Sequence, residues 1–366
     1  LLKLFQGRQA LQEEVVIVID PGSTSTKMAL YAGREKIVSA VIGHTSDEMA
    51  GYDNVADQFE MRLKKIDEWL AGQRIDGKKV VAVAGRGAPL RPLRGGVYGI
   101  NEKLLDDLRN MRYSNHASNL GAIIADHLGR RYNVPAIIAD PVTIDDFTDY
   151  ARISGVPEIE RKCRSHALNI REVCRREAEK MGKTLEAANF IAVHMGGGIS
   201  VAAVKEGRIV DVNDALLGMG PFSTERAGAL PIGALVKLAF SGKYTEKELL
   251  TRLSRESGLK AYLGEADLRK VEEMILGGDE KAELYYGAMV YQIAKEIGAI
   301  AAVFKGNFDA IVLTGGMAHS EKLVGDITDY VSFLGKVIVV PGDFEIEALG
   351  SAAMRVLEGK ETPQEY

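Results

Sequence analysis

One pattern occurs twice in this chain and narrows what it can become: a buried strand, a turn of small or hydroxyl residues, and two further strands. The first copy is VVIVIDPGSTSTKMALYAGREKIVSAV, residues 15–41, and the second is NFIAVHMGGGISVAAVKEGRIVDV, residues 189–212. In each copy a run of mostly apolar residues enters the first turn, and a second turn follows at Ala32-Gly33 or at Glu206-Gly207. Strands joined this closely pair as an antiparallel meander. Their return after about 175 residues predicts a duplicated domain. A length of 366 residues, too great for one ordinary core, also predicts two domains.

The rest of the chain alternates strands with amphipathic helices. In DQFEMRLKKIDEWLAG the apolar residues Phe59, Leu63, Ile66 and Leu70 fall at helical spacing. KKVVAVAG and PAIIAD read as strands, HASNLGAIIADHLGRRY as a helix, and helices are expected over roughly 160–183. Cys163 and Cys174 are expected on one such helix. A third glycine turn lies in FDAIVLTGGMAHSEKLV, where a strand runs through Gly315-Gly316 into a helix.

Charge and composition exclude several classes. A net charge of −5 argues against a dedicated nucleic-acid binder. The arginine-rich RKCRSHALNIREVCRREAEK is interleaved with Glu172, Glu177 and Glu179, as on a solvated helix face. No apolar run is long enough to cross a bilayer, so no membrane role is expected. Two cysteines make no disulfide framework, which suits a reducing cytoplasm. The opening LLKLFQGRQALQEE lacks the plan of a signal peptide, and no function is read from it.

A glycine turn at a strand end lets backbone N–H groups approach an anion. In the first turn Ser23, Thr24 and Ser25 add hydroxyl donors, Lys27 adds a charge, and Asp20 stands at the strand end. Gly315-Gly316 alone would read as a plain turn, and Gly196-Gly197-Gly198 alone stands evenly between the two readings. Three such turns, two of them on repeated units, point to a nucleotide. The Walker pattern Gly-x-x-x-x-Gly-Lys-Ser/Thr is absent.

DPGSTSTK, HASNLGAIIA, HALN, HMGGGIS, VDVNDALLGMGPFS, FSGKYTEKEL, YQIAKEIGAIAAVFKG and LTGGMAHS, in this order, closely resemble butyrate kinases, relatives of acetate kinases in the acetate kinase–sugar kinase–actin superfamily. The resemblance spans about residues 15–360. It implies an α/β chain of two duplicated ribonuclease-H-like, actin-like ATPase domains with an interdomain cleft. The expected boundaries are 1–150 plus 348–366 for one domain and 151–347 for the other. It also implies reversible, in-line phosphoryl transfer with Mg2+ between ATP and a short-chain carboxylate, in a homodimer or higher homo-oligomer.

A carboxylate acceptor is ionised at neutral pH and needs no general base, so positive charge and placement carry such a reaction. Arg86 and Arg226 match the family's arginines at the carboxylate and transferring phosphoryl, Asp140 its catalytic aspartate, and His166 a histidine at the phosphoryl. His116, with Ser165 and Arg86, is expected on the substrate side. His194 joins Gly196, Gly197, Gly198 and the first turn on the ATP side, as do Asp267, Arg269, Gly315 and Gly316. Asp20 and Glu345 are the expected Mg2+ ligands, with Glu347 competing for the role of Glu345. Either glutamate alone would also read as favourable charge at a helix N-terminus. Arg91 and Arg94 read as surface residues, and Tyr285, Tyr286, Met289 and Tyr291 as core or subunit interface.

Two positions depart from the family pattern. Most acyl kinases of this group carry Asn where this chain has Asp20, and relatives generally carry Phe where it has Ser165. A carboxylate suits the metal side of a site, and a small residue beside His166 would enlarge an acyl pocket. Acetate and branched-chain acid kinases are the nearest alternatives. A non-catalytic actin-like ATP-binding protein would not need the paired arginines, and a ligand sensor without turnover would not need Asp140 and His166 beside them.

Overall fold

The structure is a computed structural model that describes residues 14–73, 75 and 79–366. Residues 1–13 of the opening segment lie outside the described residues. The chain divides into two units: one holds the chain up to Ile144 and takes back Phe344–Tyr366, and the other is Asp145–Asp343.

The first unit is built on strands β1 (Glu14–Pro21), β2 (Ser25–Ala32), β3 (Glu35–Gly43), β4 (Lys79–Arg86), β5 (Val97–Gly99) and β6 (Ala136–Ala139), in the order β3-β2-β1-β4-β6-β5. β1 to β3 form the antiparallel meander, while β1, β4 and β6 run parallel. From Val15 to Pro21 every residue of β1 is buried, as a continuous apolar run in a covered central strand should be. Helices Phe59–Gly72, Asn119–Tyr132 and Glu345–Leu357 supply the covering layers. The Asn119–Tyr132 helix lies unusually close to β4. A Cβ on Gly121 would stand 2.5 Å from Arg86 O, and one on Gly85 would stand 2.6 Å from Gly121 C. The glycines beside Arg86 therefore have a packing role.

The second unit repeats the plan with β7 (Asn189–Met195), β8 (Ile199–Lys205), β9 (Arg208–Val212), β10 (Ala310–Gly315) and β11 (Val337–Pro341), in the order β11-β10-β7-β8-β9. Read from the edge of each meander, β3-β2-β1-β4-β6 and β9-β8-β7-β10-β11 have the same order and the same pairing senses. The turn joining β8 to β9 has positive φ at both Glu206 and Gly207, at 51° and 76°, the backbone of a tight two-residue hairpin turn. The 24-residue helix Glu280–Val303 packs on β7, β8 and β9, burying Tyr286 and Met289.

Several expectations need adjusting. The helix expected over 160–183 covers only Ala167–Lys180, so Cys163 precedes it and only Cys174 lies on it. Both thiols are buried and unpaired. Tyr291 is half exposed rather than core. Arg91 packs over the ring of Tyr366 at 4.5 Å from its centroid instead of standing free at the surface. The chain returns to the first unit at Phe344, ahead of the expected boundary, because Glu345 is paired with Arg86 and Lys27 of that unit.

Candidate active site

In the first unit, chemistry gathers at the carboxyl edge of the parallel strands. Asp20 stands near the end of β1, Arg86 is the last residue of β4, and Asp140 follows β6. The registers Ile19↔Gly85 and Arg86↔Ala139 bring these ends side by side. Ligands of open α/β sheets bind at such carboxyl edges.

Arg86 Nη1 contacts Asp20 Oδ1 at 3.2 Å and Glu345 Oε2 at 2.5 Å. Lys27 Nζ approaches the same two acids, at 3.8 and 3.9 Å. Two carboxylates and two cations thus form one neutralised cluster. Burial raises the pKa of Asp20, and Glu345 adds to the rise against the pull of Arg86 and Lys27. Burial works against the charge on Arg86, but Glu345 and Asp20 outweigh it and hold the proton more tightly. Glu347, the competing acid, points elsewhere and pairs with Lys36 at 2.6 Å.

Two carboxylates suit Mg2+, which binds through one or two acids together with water and phosphate oxygens. Among the described residues no group of three or more His, Cys, Asp or Glu side chains could hold a metal ion. A cation at Asp20 and Glu345 would therefore depend on those outside ligands.

Asp140 is tied to the fold on both sides. Its N–H donates to Gly96 O at 3.0 Å, and its Oδ1 accepts from Gly96 N at 2.7 Å. Its φ is +39°, a backbone form that non-glycine residues enter at a cost and that gathers at functional sites. His116 is an exposed loop residue whose Nδ1 lies 2.8 Å from Ser118 Oγ.

The first turn is held from inside. Gly22 N–H donates to Ser25 O at 2.7 Å, and His44 N–H donates to Thr24 O at 2.9 Å. Ser23 and Thr24 are exposed, while Thr26 is buried with its Oγ1 2.9 Å from His44 Nε2. Arg62, from the Phe59–Gly72 helix, is 1% exposed and reaches into this turn. Neither Arg62 nor His44 was expected here.

In the second unit, His194 on β7 and His166 at the head of the Ala167–Lys180 helix stack face to face, with centroids 3.9 Å apart and planes 11° apart. Ser200 Oγ accepts the His166 backbone N–H at 3.3 Å and lies 2.9 Å from its Nδ1. With the hydroxyl proton given to Nδ1, the ring N–H lies on Nε2. Asn169 Nδ2 lies 2.7 Å from His194 Nδ1, and an amide NH2 only donates, so that ring also carries its N–H on Nε2. His194 Nε2 is 3.6 Å from Asp343 Oδ1. Asn169 continues to Thr314 Oγ1 at 3.5 Å. Asn169 and Ser200 stand inside the HALN and HMGGGIS motifs, although neither was singled out from sequence.

Arg226 packs against the glycine turn between β7 and β8. A Cβ on Gly198 would stand 2.7 Å from its Cζ. Its Nη1 donates to Ala215 O at 2.5 Å, and burial lowers its pKa against the pull of Glu225 and Asp214. Ser223 Oγ donates to Gly197 O at 2.6 Å. Gly196, Gly197, Gly198, Arg226, His166 and His194 therefore share one end of the second sheet. Ser165 is buried beside His166, and its Oγ has no hydrogen-bond partner among the described residues.

Gly315 has φ +89°, and a Cβ there would stand 2.7 Å from Met195 N, so close packing on β7 requires glycine. Gly316 faces open space. Asp267 and Arg269 are bonded to each other, at 2.6 Å, where Asp267 caps the helix Leu268–Leu276. Arg269 is 86% exposed on its side chain, and hydrogen bonds from its guanidinium and its backbone N–H hold the Asp267 carboxyl down at about 2.

Comparison with known proteins adds a family. The acetokinase family profile matches residues 158–342, half of the chain and all within the second unit. Among solved structures, the chain is similar to an acetate kinase from Porphyromonas gingivalis, at 21% identity and TM-score 0.72, covering 94% of this chain and 100% of that one. It is similar to a propionate kinase from Francisella tularensis, at 18% identity and TM-score 0.71, covering 92% and 98%. An acetate kinase from Entamoeba histolytica matches at 17% identity and TM-score 0.73, covering 94% and 100%. At such identities the neighbours speak for the fold, two duplicated α/β domains of the actin-like ATPase type. Among the described residues no helix is long and apolar enough to cross a membrane. With half of its length matched by the family profile, the chain belongs to the acetokinase family, whose members are kinases that phosphorylate carboxylates with ATP.

Proposed function

We propose that this chain is a Mg2+- and ATP-dependent kinase of short-chain carboxylates, with butyrate or a related acid as acceptor. The observation that carries the reading is Arg226, a half-buried arginine pressed onto a bare glycine turn beside the stacked pair His166 and His194. A half-buried guanidinium beside a glycine turn suits a phosphoryl group in transfer, where charge spreads over several oxygens.

The remaining residues take roles consistent with this. Ser23, Thr24, Ser25 and Lys27 bind nucleotide phosphate on the first turn, and Gly196, Gly197 and Gly198 bind it on the second. Arg86 and Arg226 hold acceptor carboxylate and transferring phosphoryl, and Asp140 orients reacting groups from its rigid position. His166 donates from Nε2 to a phosphoryl oxygen, and His194 supports it by stacking. Asp20 and Glu345 would hold Mg2+, which when bound supplies positive charge to the phosphate oxygens. Gly316, Asp267 and Arg269 serve the adenosine side, and His116 the substrate side. No residue must remove a proton from the acceptor.

Ser165 supports an acceptor longer than acetate, since a serine leaves room where an aromatic ring would fill it. Its unpartnered hydroxyl also leaves open a polar contact with the acid. The buried, unpaired thiols of Cys163 and Cys174 suit a reducing cytoplasm. Self-association is supported by the helix Ile232–Ala239, an apolar segment with no buried residue. Acetate and propionate, the acids named for the structural neighbours, are the competing acceptors.

Hydroxamate capture of acyl phosphate over acetate, propionate, butyrate, valerate and isobutyrate tests the reading. A kcat/KM that climbs about fourfold per methylene from acetate to butyrate is expected if each added methylene is buried, at about 0.8 kcal/mol. A maximum at acetate would replace butyrate by acetate, and no capture from any acid would remove the carboxylate-kinase reading.

A further inference from the structure

Arg62 sits at a position where the sequence pattern calls for an apolar residue. It lies three residues after Phe59 and four before Ile66, on the buried stripe of its helix. The structure buries it to 1% exposure. Its Nη1 donates to Gly22 O at 2.9 Å, Ser25 O at 3.3 Å and Thr26 Oγ1 at 3.1 Å, and its Nη2 to Ser23 O at 3.2 Å. Gln58 Oε1 accepts from Nε at 3.1 Å and from Nη2 at 2.9 Å. All these acceptors are neutral. Among the described residues no carboxylate comes within ion-pair distance of it, and burial lowers its pKa.

A buried cation without an acid is costly, so this arrangement calls for a compensating role. Peptide geometry indicates what that role is. In a trans peptide the C=O and the following N–H point to opposite sides, and the described chain has no cis bonds. Arg62 draws the carbonyls of Gly22 and Ser23 inward, which turns the N–H groups of Ser23 and Thr24 outward. The Thr24 carbonyl is held by His44 N–H, which turns the Ser25 N–H away from His44. Each carbonyl from Gly22 to Ser25 is thus engaged on the inner side, and the exposed tip presents donors. Successive outward N–H groups form an anion-binding concavity.

We propose that Arg62 is the positioning residue of the first turn: it locks the PGSTST backbone with its amides outward and places an unneutralised charge behind them, so that the turn takes the phosphates of a nucleotide. The residue touches no substrate itself. A phosphate arriving on the outer face supplies the negative charge that the interior lacks. The proposal rests on the reading of this turn as a nucleotide phosphate site.

The test compares ADP with adenosine, measured by calorimetry on the full chain with Mg2+. Arg62→Lys, which keeps the charge but loses the planar fork, should weaken ADP binding about tenfold, and Arg62→Met about 100-fold or more. Adenosine binding should stay within about twofold in both, since it offers the turn no phosphate. A folded Arg62→Lys protein that binds ADP as wild type does would overturn the proposal, as would equal losses for ADP and adenosine. If both Arg62 variants fail to fold, Thr26→Val removes one acceptor and should weaken ADP binding about threefold with adenosine unchanged. No change in folded Thr26→Val would then overturn it. Wild-type protein that binds no ADP would instead remove the phosphate-site reading beneath it.

Discussion

The two meander turns occupy equivalent places in a repeated sheet, and they are built by opposite means. The β1–β2 turn is made of hydroxyl residues and held from within by Arg62, His44 and Thr26. The β7–β8 turn is three glycines in succession, braced by Ser223 and covered by Arg226. In the first, positive charge lies behind the backbone and is buried. In the second, it lies against the backbone where a side chain would otherwise stand. The duplication thus conserved where the turns sit and let their electrostatics diverge. A turn backed by a buried charge suits a stationary phosphate, and one with an arginine at its side suits a group in transfer.

The largest effects should come from removing the two arginines proposed to hold the reacting groups, one in each unit. Arg226→Ala should lower kcat about 100- to 1000-fold with ADP affinity nearly unchanged, as loss of one preorganised donor does. Arg86→Ala should fall as far, and in addition leave Asp20 and Glu345, 3.2 and 2.5 Å from its Nη1, with Lys27 as their one shared cation at 3.8 and 3.9 Å. Steady-state kinetics beside ADP calorimetry checks both. Turnover near wild type in a folded variant would take that arginine out of the chemistry.

A smaller and more pointed effect comes from adding one methyl group to each turn. At Gly198 a Cβ would overlap the Arg226 guanidinium and stand 3.0 Å from Ala215 O. At Gly22 the nearest atom would be Ser25 O at 3.4 Å, an ordinary contact. Gly198→Ala should therefore displace the arginine and cut kcat about tenfold or more, while Gly22→Ala stays within about threefold. Equal effects in the two variants would mean that Arg226 is not held by the bare turn.

The smallest effect concerns His44. Burial first, and then Arg62 and Lys65, pull its pKa down to about 4 from 6.5, against Glu48. The unfolded chain therefore binds a proton at His44 between pH 6.5 and 4 that the folded chain refuses. Stability rises with pH wherever the unfolded state holds more protons. The contribution of neutral His44 should be complete above about pH 6.5 and shrink as pH falls toward 4. Melting temperatures of wild type and His44→Gln should accordingly converge between pH 7.5 and 4.5. A constant difference would place His44 outside this linkage.

Much of the fold was legible because its signals are local and repeated. The runs entering Asp20 and His194 fix two buried strands, and the turns at Ala32-Gly33 and Glu206-Gly207 fix the meanders. Which of Glu345 and Glu347 pairs with Arg86 was not legible. Both lie in the first turn of one helix, and only the positions of Arg86 and Lys36 separate them. Arg62 left a trace, a charge on an apolar stripe, but its partners lie some forty residues away in sequence and are mostly backbone atoms. Periodicity flags such a residue without saying what it holds.

Both turns are proposed to serve phosphoryl transfer from ATP to a carboxylate. Phosphorus NMR of the full chain with MgATP and butyrate tests it most directly. An acyl phosphate resonance should grow as ADP appears, in equal amounts, and be lost to within background in Arg226→Ala. Steady release of ADP and inorganic phosphate with no acyl phosphate, across carboxylates from acetate to valerate, would contradict it.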